Sequence, residues 1–435
     1  MASRPDKLSS AGVVNFCEAE SYLLSLGNEV SAMKLGLENI RKLLDALGNS
    51  QNNFLKVQVA GTNGKGSVCA FLDSICNAAG IKTGTFTSPH LVSITERIRI
   101  NGSDISEDDL ARHADRVRET SEQMLASGKL EYRPTFFEQI TAIALIAFAD
   151  AGVELTILET GLGGRLDATT AANAEIAAIT RIDIDHQEYL GETIEEIAAE
   201  KAAIIQEHTK AVIVGEQKKE AMLVIEDHVR IACPGARHIH ARRESSPGSA
   251  KLGLKGEHQY ANASIAIAVA NELKAHFNIN DADIAAGLEK AHNPGRLEYQ
   301  DRYLFDGAHN IGGARALAKY LDEFEKRPIT GIFGAMRGKD VDEITKILFP
   351  RCERIVLTQP ENSRSLTYEE LLEAFPADSH KQNVFVSDRV SNSFDIAEAV
   401  TPDDGIILVT GSLYLVGEIK KILNNEKGKP ATGNS

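Results

Sequence analysis

The sequence predicts an α/β fold in two units: an N-terminal unit with a parallel-rich sheet and a P-loop, then a smaller Rossmann-like α/β unit. Three observations predict it. Short apolar runs alternate with helix-period segments along most of the 435 residues, the pattern of parallel α/β layers. A glycine-rich turn, "VAGTNGKGS" at 59–67, sits between one such run and a helical segment. The alternation falters and restarts near residue 297, which divides the chain into 1–295 and 296–435.

Taken in order, "FLKVQVA" reads as a strand and "KGSVCAFLDSICNAAG" as a helix. Val68, Phe71, Leu72 and Ile75 have helical spacing, and Gly80 is its stop. Cys69 and Cys76 share a face of that helix and read as core. "KTGTFT", "ELTILE", "EIAAITRI" and "KAVIVG" are further strands, whereas residues 207–260 are less regular. Within them "ESSPGSAKLG" reads as a surface loop or hairpin. "AHNPGR" at 291–296 is the expected hinge. Beyond it "YLFDGA", "ITGIFGA", "RIVLTQ", "NVFVS" and "GIILVTG" form the second strand series, and a polar tail from about 424 to 435 is expected to be disordered.

Composition narrows the function. With 47 basic and 62 acidic residues the net charge is −15, which argues against a nucleic-acid partner. An anionic ligand must find its positive charge locally. Five scattered cysteines suit a reducing cytoplasm. "ITAIALIAFA" is too short to cross a bilayer, and "MASRPDKLSSAG" lacks the apolar segment of a signal peptide, so a cytoplasmic location is expected with no membrane partner.

The turn at 59–67 departs from the usual G-x-x-x-x-G-K-[ST] loop. Gly64 and Lys65 are in place, but Val59 holds the first glycine position, Gly66 follows the lysine, and Ser67 comes one residue late. A strand, a glycine turn and a helix N-terminus still aim backbone N–H groups at a phosphate, and Lys65 would meet the β- and γ-phosphates. The missing metal ligand is sought where other strands end, since ligands gather beyond the carboxyl edge of such sheets. "KTGTFT" ends at Ser88, "ELTILE" at Glu159, and "EIAAITRI" runs on to His186. Mg²⁺ takes few protein ligands beside water and phosphate oxygens, so these three suffice. Each also has an ordinary reading, as cap, surface carboxylate or loop histidine. Their coincidence at one edge outweighs those.

"ETIEEIAAEKAAII" carries an anomaly. Ile194, Ile197, Ala198, Ile204 and Ile205 define an apolar stripe, with Lys201 in its middle. A snorkelling lysine is the ordinary reading. The other is a desolvated amine of lowered pKa, which in neutral form can add CO₂ and become an anionic metal ligand.

"AGTNGKGS", "TSPHL", "LETGLGGRLDAT", "DHQEYLG", "EKAAII", "PGRLE" and "DGAHN" occur in the order found in folylpolyglutamate synthases and bifunctional dihydrofolate synthases. The chain resembles this family, part of the Mur ligase superfamily, from about residue 20 to 420. The resemblance implies an ATP-dependent amide ligase of folate biosynthesis and one-carbon metabolism. In it a pterin-linked carboxylate becomes an acyl phosphate and glutamate's amine displaces the phosphate. It implies ATP contacts at Thr62, Asn63, Gly64, Lys65, Gly66, Ser67, Asn262, Arg296 and Asp306, with one or two Mg²⁺ ions on Ser88, Glu159, His186 and carbamylated Lys201. Lys65, Lys201 and His309 would be catalytic, and His309 and Ser412 would handle glutamate. The pterin side resembles Thr135, Phe136, Phe137 and Glu138 together with Leu166, Asp167 and Ala168. The implied partners are ATP, L-glutamate and dihydropteroate or a reduced folate, on a monomer.

Two departures bear on the pterin. Thr170 stands where asparagine is common, and Lys34 where some bifunctional members carry an acid, while the retained Asp167 leans towards dihydropteroate and a bifunctional enzyme. A switch GTPase would need N-K-x-D, which is missing. A dinucleotide oxidoreductase read from "TGLGGRL" fails at Leu166, where its third glycine belongs. A ligase acting on a cell-wall nucleotide peptide is the nearer rival, and "LGGRLDAT" with "DGAHN" favours folate over it.

Overall fold

A computed structural model describes residues 15–27, 36–242, 251–374 and 383–427. Two sheets organise it. The first contains β1 (Leu55–Ala60), β2 (Thr83–Phe86), β3 (Ile98–Ile100), β4 (Ser103–Asp104), β5 (Leu155–Glu159), β6 (Ile176–Ile179), β7 (Ala211–Val214) and β8 (Arg237–His240), in the order β4-β3-β2-β5-β1-β6-β7-β8. β1 pairs in parallel with β5 and β6, and its residues from Lys56 onward are buried on both faces, as apolar strands of a covered parallel sheet must be. The chain leaves β1 towards β2 and leaves β6 towards β7, in opposite directions. A crevice therefore opens beyond their carboxyl ends, and the glycine loop occupies it.

The second sheet holds β9 (Glu298–Gln300), β10 (Tyr303–Asp306), β11 (Ile329–Phe333), β12 (Arg354–Thr358), β13 (Val384–Ser387) and β14 (Ile406–Thr410), ordered β13-β12-β11-β14-β10-β9. All pairs are parallel except β9 with β10. The two units touch along the loop after β2. Leu91 packs on the apolar cluster of the second unit, and a Cβ on Gly417 would lie 1.9 Å from the Leu91 carbonyl oxygen.

The apolar stretch that ends at Asp150 is a core helix, Phe136–Ala151, buried from Phe136 to Phe148 between the first sheet and the N-terminal helices. Cys69 and Cys76 are both buried, as their spacing suggests. The irregular reading of 207–260 is corrected: it contains the helix Lys219–Ala232 and strand β8. That helix buries only Ala221, Ile225 and Val229, a stripe too thin to stand out among its charges. Most of "ESSPGSAKLG", all of 428–435 and Lys34 lie outside the described residues. Residues 424–427, expected in the disordered tail, instead continue the helix Leu413–Lys427, which Leu415, Val416, Ile419 and Leu423 hold on the second core.

Helix Asp281–Lys290 crosses the loop's own helix, Lys65–Ala78, at Gly287, where a Cβ would stand 2.4 Å from the Ile75 Cα. Alanine normally favours a helix interior over glycine by about 1 kcal/mol. Here the clash overrides propensity, so Gly287→Ala should destabilise by roughly 1–3 kcal/mol in urea unfolding. An unchanged or raised midpoint would contradict the close crossing.

Candidate active site

The loop's glycines are dictated by its neighbours. Gly64 has φ +95°, and a Cβ there would meet Asn262 Oδ1 at 2.3 Å. Gly61 has φ +149° and would meet Thr180 Oγ1 at 1.9 Å. No L side chain fits either position without displacing the loop. The backbone N–H groups of Thr62 and Asn63 donate to the Arg181 carbonyl at 2.9 and 3.2 Å, and Thr62 Oγ1 donates to the Asp183 carbonyl at 2.9 Å, tying the loop to the end of β6. Gly64 caps the helix without a side chain, so its N-terminal dipole faces the crevice. The Ser67 hydroxyl accepts from Gln259 Nε2 at 3.3 Å, so it is engaged away from the metal position the usual loop would give it.

Two lysines converge on one acceptor. Lys65 Nζ donates to the Gly61 carbonyl oxygen at 3.2 Å and Lys201 Nζ donates to the same atom at 3.0 Å. Lys201 is 4% exposed on the helix Ile194–Ala202, so it does not snorkel. Burial, reinforced by the Lys65 ammonium, brings its pKa down to about 7. The helix ends sooner than the stripe suggests, yet Ile204 and Ile205 are buried beyond it.

The three strand-end residues share a cavity of about 760 Å³ with both lysines. Glu159 is buried and accepts from the Ser88 backbone N–H at 3.2 Å, and both its carboxylate oxygens lie 3.6 Å from where a Cβ on Gly66 would be. Burial, with Lys339 nearby, lowers the His186 pKa to about 3, and His186 Nε2 lies 3.3 Å from Lys339 Nζ. Among the described residues no three His, Cys, Asp or Glu gather as a ready-made metal cage. Glu159 and Ser88 supply hard oxygen donors beside the phosphate loop, a sparse set that fits Mg²⁺, which retains water and phosphate ligands.

The second unit closes the cavity. Arg296 Nη1 donates to the Gly307 carbonyl at 3.3 Å, and the Asp306 carboxylate accepts from the Leu297 and Ala308 N–H groups, each at 3.0 Å. His309 Nδ1 lies 2.8 Å from the Gly307 carbonyl, and burial and then Lys339 lower its pKa to about 4, so the ring is neutral. Ser412 is buried after β14, and its Oγ accepts from the Tyr414 N–H at 3.1 Å. Asn310 and Lys339 cross between the units. Asn310 Nδ2 donates to Asn63 Oδ1 and to Asp185 Oδ2, each at 3.0 Å, and Lys339 is ion-paired to Asp185. Burial pushes the Asp185 carboxyl up, but Lys339 and the two histidines outweigh it and hold it well below the usual range. In the sequence Asn310 stands within "DGAHN" with nothing to give it a role, and Lys339 carries no motif. Only its place just after the strand "ITGIFGA" marks that lysine.

A side cleft joins this cavity. It is lined by Thr135, Phe137, Glu138, Leu166, Asp167 and Ala168, with Gly36, Leu37 and Ile40 opposite, and Gly161 and Leu162 line both spaces. Phe136 is not in the cleft; its ring lies 5.2 Å from the Arg97 guanidinium. Thr135 and Glu138 form a capping box in which Glu138 Oε2 accepts from the Thr135 N–H at 2.8 Å. Burial raises the pKa of the Glu138 carboxyl, against the Thr135 hydrogen bonds and the Ile40 backbone N–H, which lower it. The Asp167 carboxylate is taken up by the Gly161, Leu162 and Thr169 N–H groups, so it pins the loop. Thr170 lies behind the cleft, where Oγ1 accepts from Gln58 Nε2 and donates to the Gly164 carbonyl, both at 2.8 Å.

A phosphate loop at a sheet switch point, closed by a second α/β unit, is the architecture of the Mur ligases, and residues 59–270 match the Mur ligase middle domain. Residues 295–423 match the C-terminal domain of dihydrofolate synthetase. The chain is 33% identical to the Bacillus subtilis dihydrofolate synthase/folylpolyglutamate synthase over 90% of its length and 95% of that protein. It is 32% identical to the Saccharomyces cerevisiae dihydrofolate synthetase over 90% of its length and 99% of that protein. It spans about half the length (51%) of a probable bifunctional folylpolyglutamate synthase/dihydropteroate synthase of Halobacterium salinarum, at 32% identity. The Mycobacterium tuberculosis folylpolyglutamate synthase complexed with ADP superposes with a TM-score of 0.85 at 30% identity, covering 95% of this chain and 98% of that one. Escherichia coli FolC in complex with DHPP and ADP gives 0.81 at 30% identity, covering 94% and 98%. The chain belongs to the folylpolyglutamate synthase/dihydrofolate synthase family.

Asn310 also caps the helix Ile311–Phe324, its Oδ1 accepting from the Gly313 N–H at 2.8 Å. Asn310→Asp keeps that cap but replaces the bridging amide by a carboxylate facing Asp185. Like charges at this spacing repel, so the ligand-free variant should show a larger radius of gyration in solution scattering with unchanged helical circular dichroism. Identical scattering curves would remove Asn310 from the contact that holds the units together.

Proposed function

We propose that this chain is an ATP-dependent carboxylate–amine ligase that joins L-glutamate to dihydropteroate and to the γ-carboxylate of reduced folates. The observation that carries the reading is the single cavity that the glycine loop, Lys201 and Glu159 line together with Arg296, His309 and Ser412 of the second unit. The cleft holds only about 30 Å³, so a pterin beside Thr135 and Glu138 requires it to widen, and its carboxylate would then reach the loop past Gly161 and Leu162. Thr62, Asn63, Gly64, Lys65, Gly66 and Ser67 hold the triphosphate with Asn262, Arg296 and Asp306. The carboxylate oxygen attacks the γ-phosphorus and ADP leaves. Glutamate's amine, held near His309 and Ser412, attacks the acyl carbon, and phosphate departs as the amine loses a proton. Ser88, Glu159, His186 and carbamylated Lys201 would hold one or two Mg²⁺ ions, which neutralise phosphoryl charge. Closure between two units of one chain completes the cavity, which supports a monomer. Among the described residues no helix is long and apolar enough to cross a membrane.

The decisive assay offers labelled glutamate and ATP with dihydropteroate, tetrahydrofolate or a cell-wall nucleotide peptide in parallel. Amide product with the first two supports a bifunctional ligase. Product with the cell-wall precursor alone transfers the chain to the rival class.

Lys201 gives a second test. An amine with a pKa of about 7 is roughly nine-tenths neutral at pH 8, and only the neutral form adds CO₂. Lys201→Ala should lose most activity and regain part of it with a small added carboxylate. Lys201→Arg should also fail, because guanidinium stays cationic. Full activity in Lys201→Arg would sink the carbamate.

A further inference from the structure

Four loops leave the carboxyl edge of the second sheet in the order of its strands: His309 after β10, Ser412 after β14, Lys339 after β11 and Arg364 after β12. All four residues line the large cavity. The cations here are mostly spoken for. Arg337 forms a fork with Glu370, its Nη2 donating to Oε2 at 2.7 Å, Lys339 pairs with Asp185, and Lys319 pairs with Glu257. The half-buried Arg364 guanidinium has neither an ion pair nor a hydrogen bond among the described residues.

Its backbone, by contrast, is tightly held. The Arg364 N–H donates to Asn362 Oδ1 at 3.0 Å, and its carbonyl accepts from the Arg337 N–H at 2.7 Å. The Leu366 N–H donates to the Ala335 carbonyl at 2.9 Å, and the Glu361 N–H to Glu418 Oε1 at 2.7 Å. A fixed turn thus carries an uncommitted planar cation into the cavity, the arrangement that suits bidentate capture of a carboxylate.

We propose that Arg364 recognises the side-chain carboxylate of the incoming amino acid and so selects glutamate. The inference rests on the ligase reading, in which His309 and Ser412 handle that substrate. Ser412 and Arg364 follow strands two spacings apart, about 10 Å. A glutamate side chain together with the arm of an arginine spans that gap, whereas alanine or glycine offers nothing for the guanidinium to hold.

The test measures kcat and KM for glutamate and glutamine with dihydropteroate as acceptor, which carries no glutamate of its own, and repeats the glutamate series with tetrahydrofolate. In Arg364→Ala the preference for glutamate over glutamine in kcat/KM should fall roughly 10–100-fold, the loss expected for a charge-assisted pair, with KM for ATP unchanged. Arg364→Lys keeps the charge without the fork and should fall in between. An undiminished preference in Arg364→Ala, with the wild type active, would overturn the assignment and leave the ligase reading intact. A rise confined to KM for tetrahydrofolate would overturn it too, by giving the guanidinium to the glutamate already on the folate. Absence of amide product from the wild type would refute the ligase reading and this inference with it.

Discussion

Two lysine side chains on one carbonyl oxygen set the conditions for everything around them. Lys65 and Lys201 both donate to the Gly61 carbonyl, in a chain whose net charge is −15. Burial and the Lys65 ammonium outweigh the pull of Asp185 and Asp167 on Lys201, so its proton is held weakly. The glycines beneath them cannot vary for a steric reason. Gly61 must present its carbonyl to both lysines while its Cα faces Thr180, and Gly64 must pass beneath Asn262.

The second unit answers this electrostatics with a polar bridge. Asp185, projecting from the loop after β6, receives Lys339 from one side and the Asn310 amide from the other. Asn310 also touches Asn63 in the phosphate loop, so a displacement of the loop and a rotation of the second unit cannot occur independently. The apolar seat of Leu91 against the helix Leu413–Lys427 supplies a further point of attachment, as does the Lys319–Glu257 ion pair.

Most of the strands, the glycine loop and the anomaly at Lys201 were legible in the sequence because each depends on a local pattern: apolar runs, glycine spacing and a lysine that breaks a stripe. Lys201 is the plainest case: its place among Ile197, Ala198 and Ile204 marked it as anomalous, and its burial decides for a desolvated amine over a snorkelling one. Asn310 and Lys339 were not legible in this way, because their importance lies in meeting Asn63 and Asp185 more than a hundred residues distant. Asp167 and Thr170 show the reverse difficulty. Read as bearing on pterin choice, both are engaged in holding the Gly161–Gly164 loop, Asp167 through backbone N–H groups and Thr170 through Gln58 and the Gly164 carbonyl. The helix Lys219–Ala232 escaped notice because only three of its residues face inward.

Glu138 joins two duties that proteins usually separate. One oxygen closes the capping box that starts the buried helix Phe136–Ala151, and the other faces the cleft that Ile40 also lines. A group that donates a hydrogen bond to Oε1 would therefore bind to the first turn of the core itself. By linkage, occupancy of the cleft is expressed as resistance of that helix to fraying, and any replacement that alters what the cleft accepts also alters how the helix begins. Selectivity and folding are in this sense written in the same carboxylate.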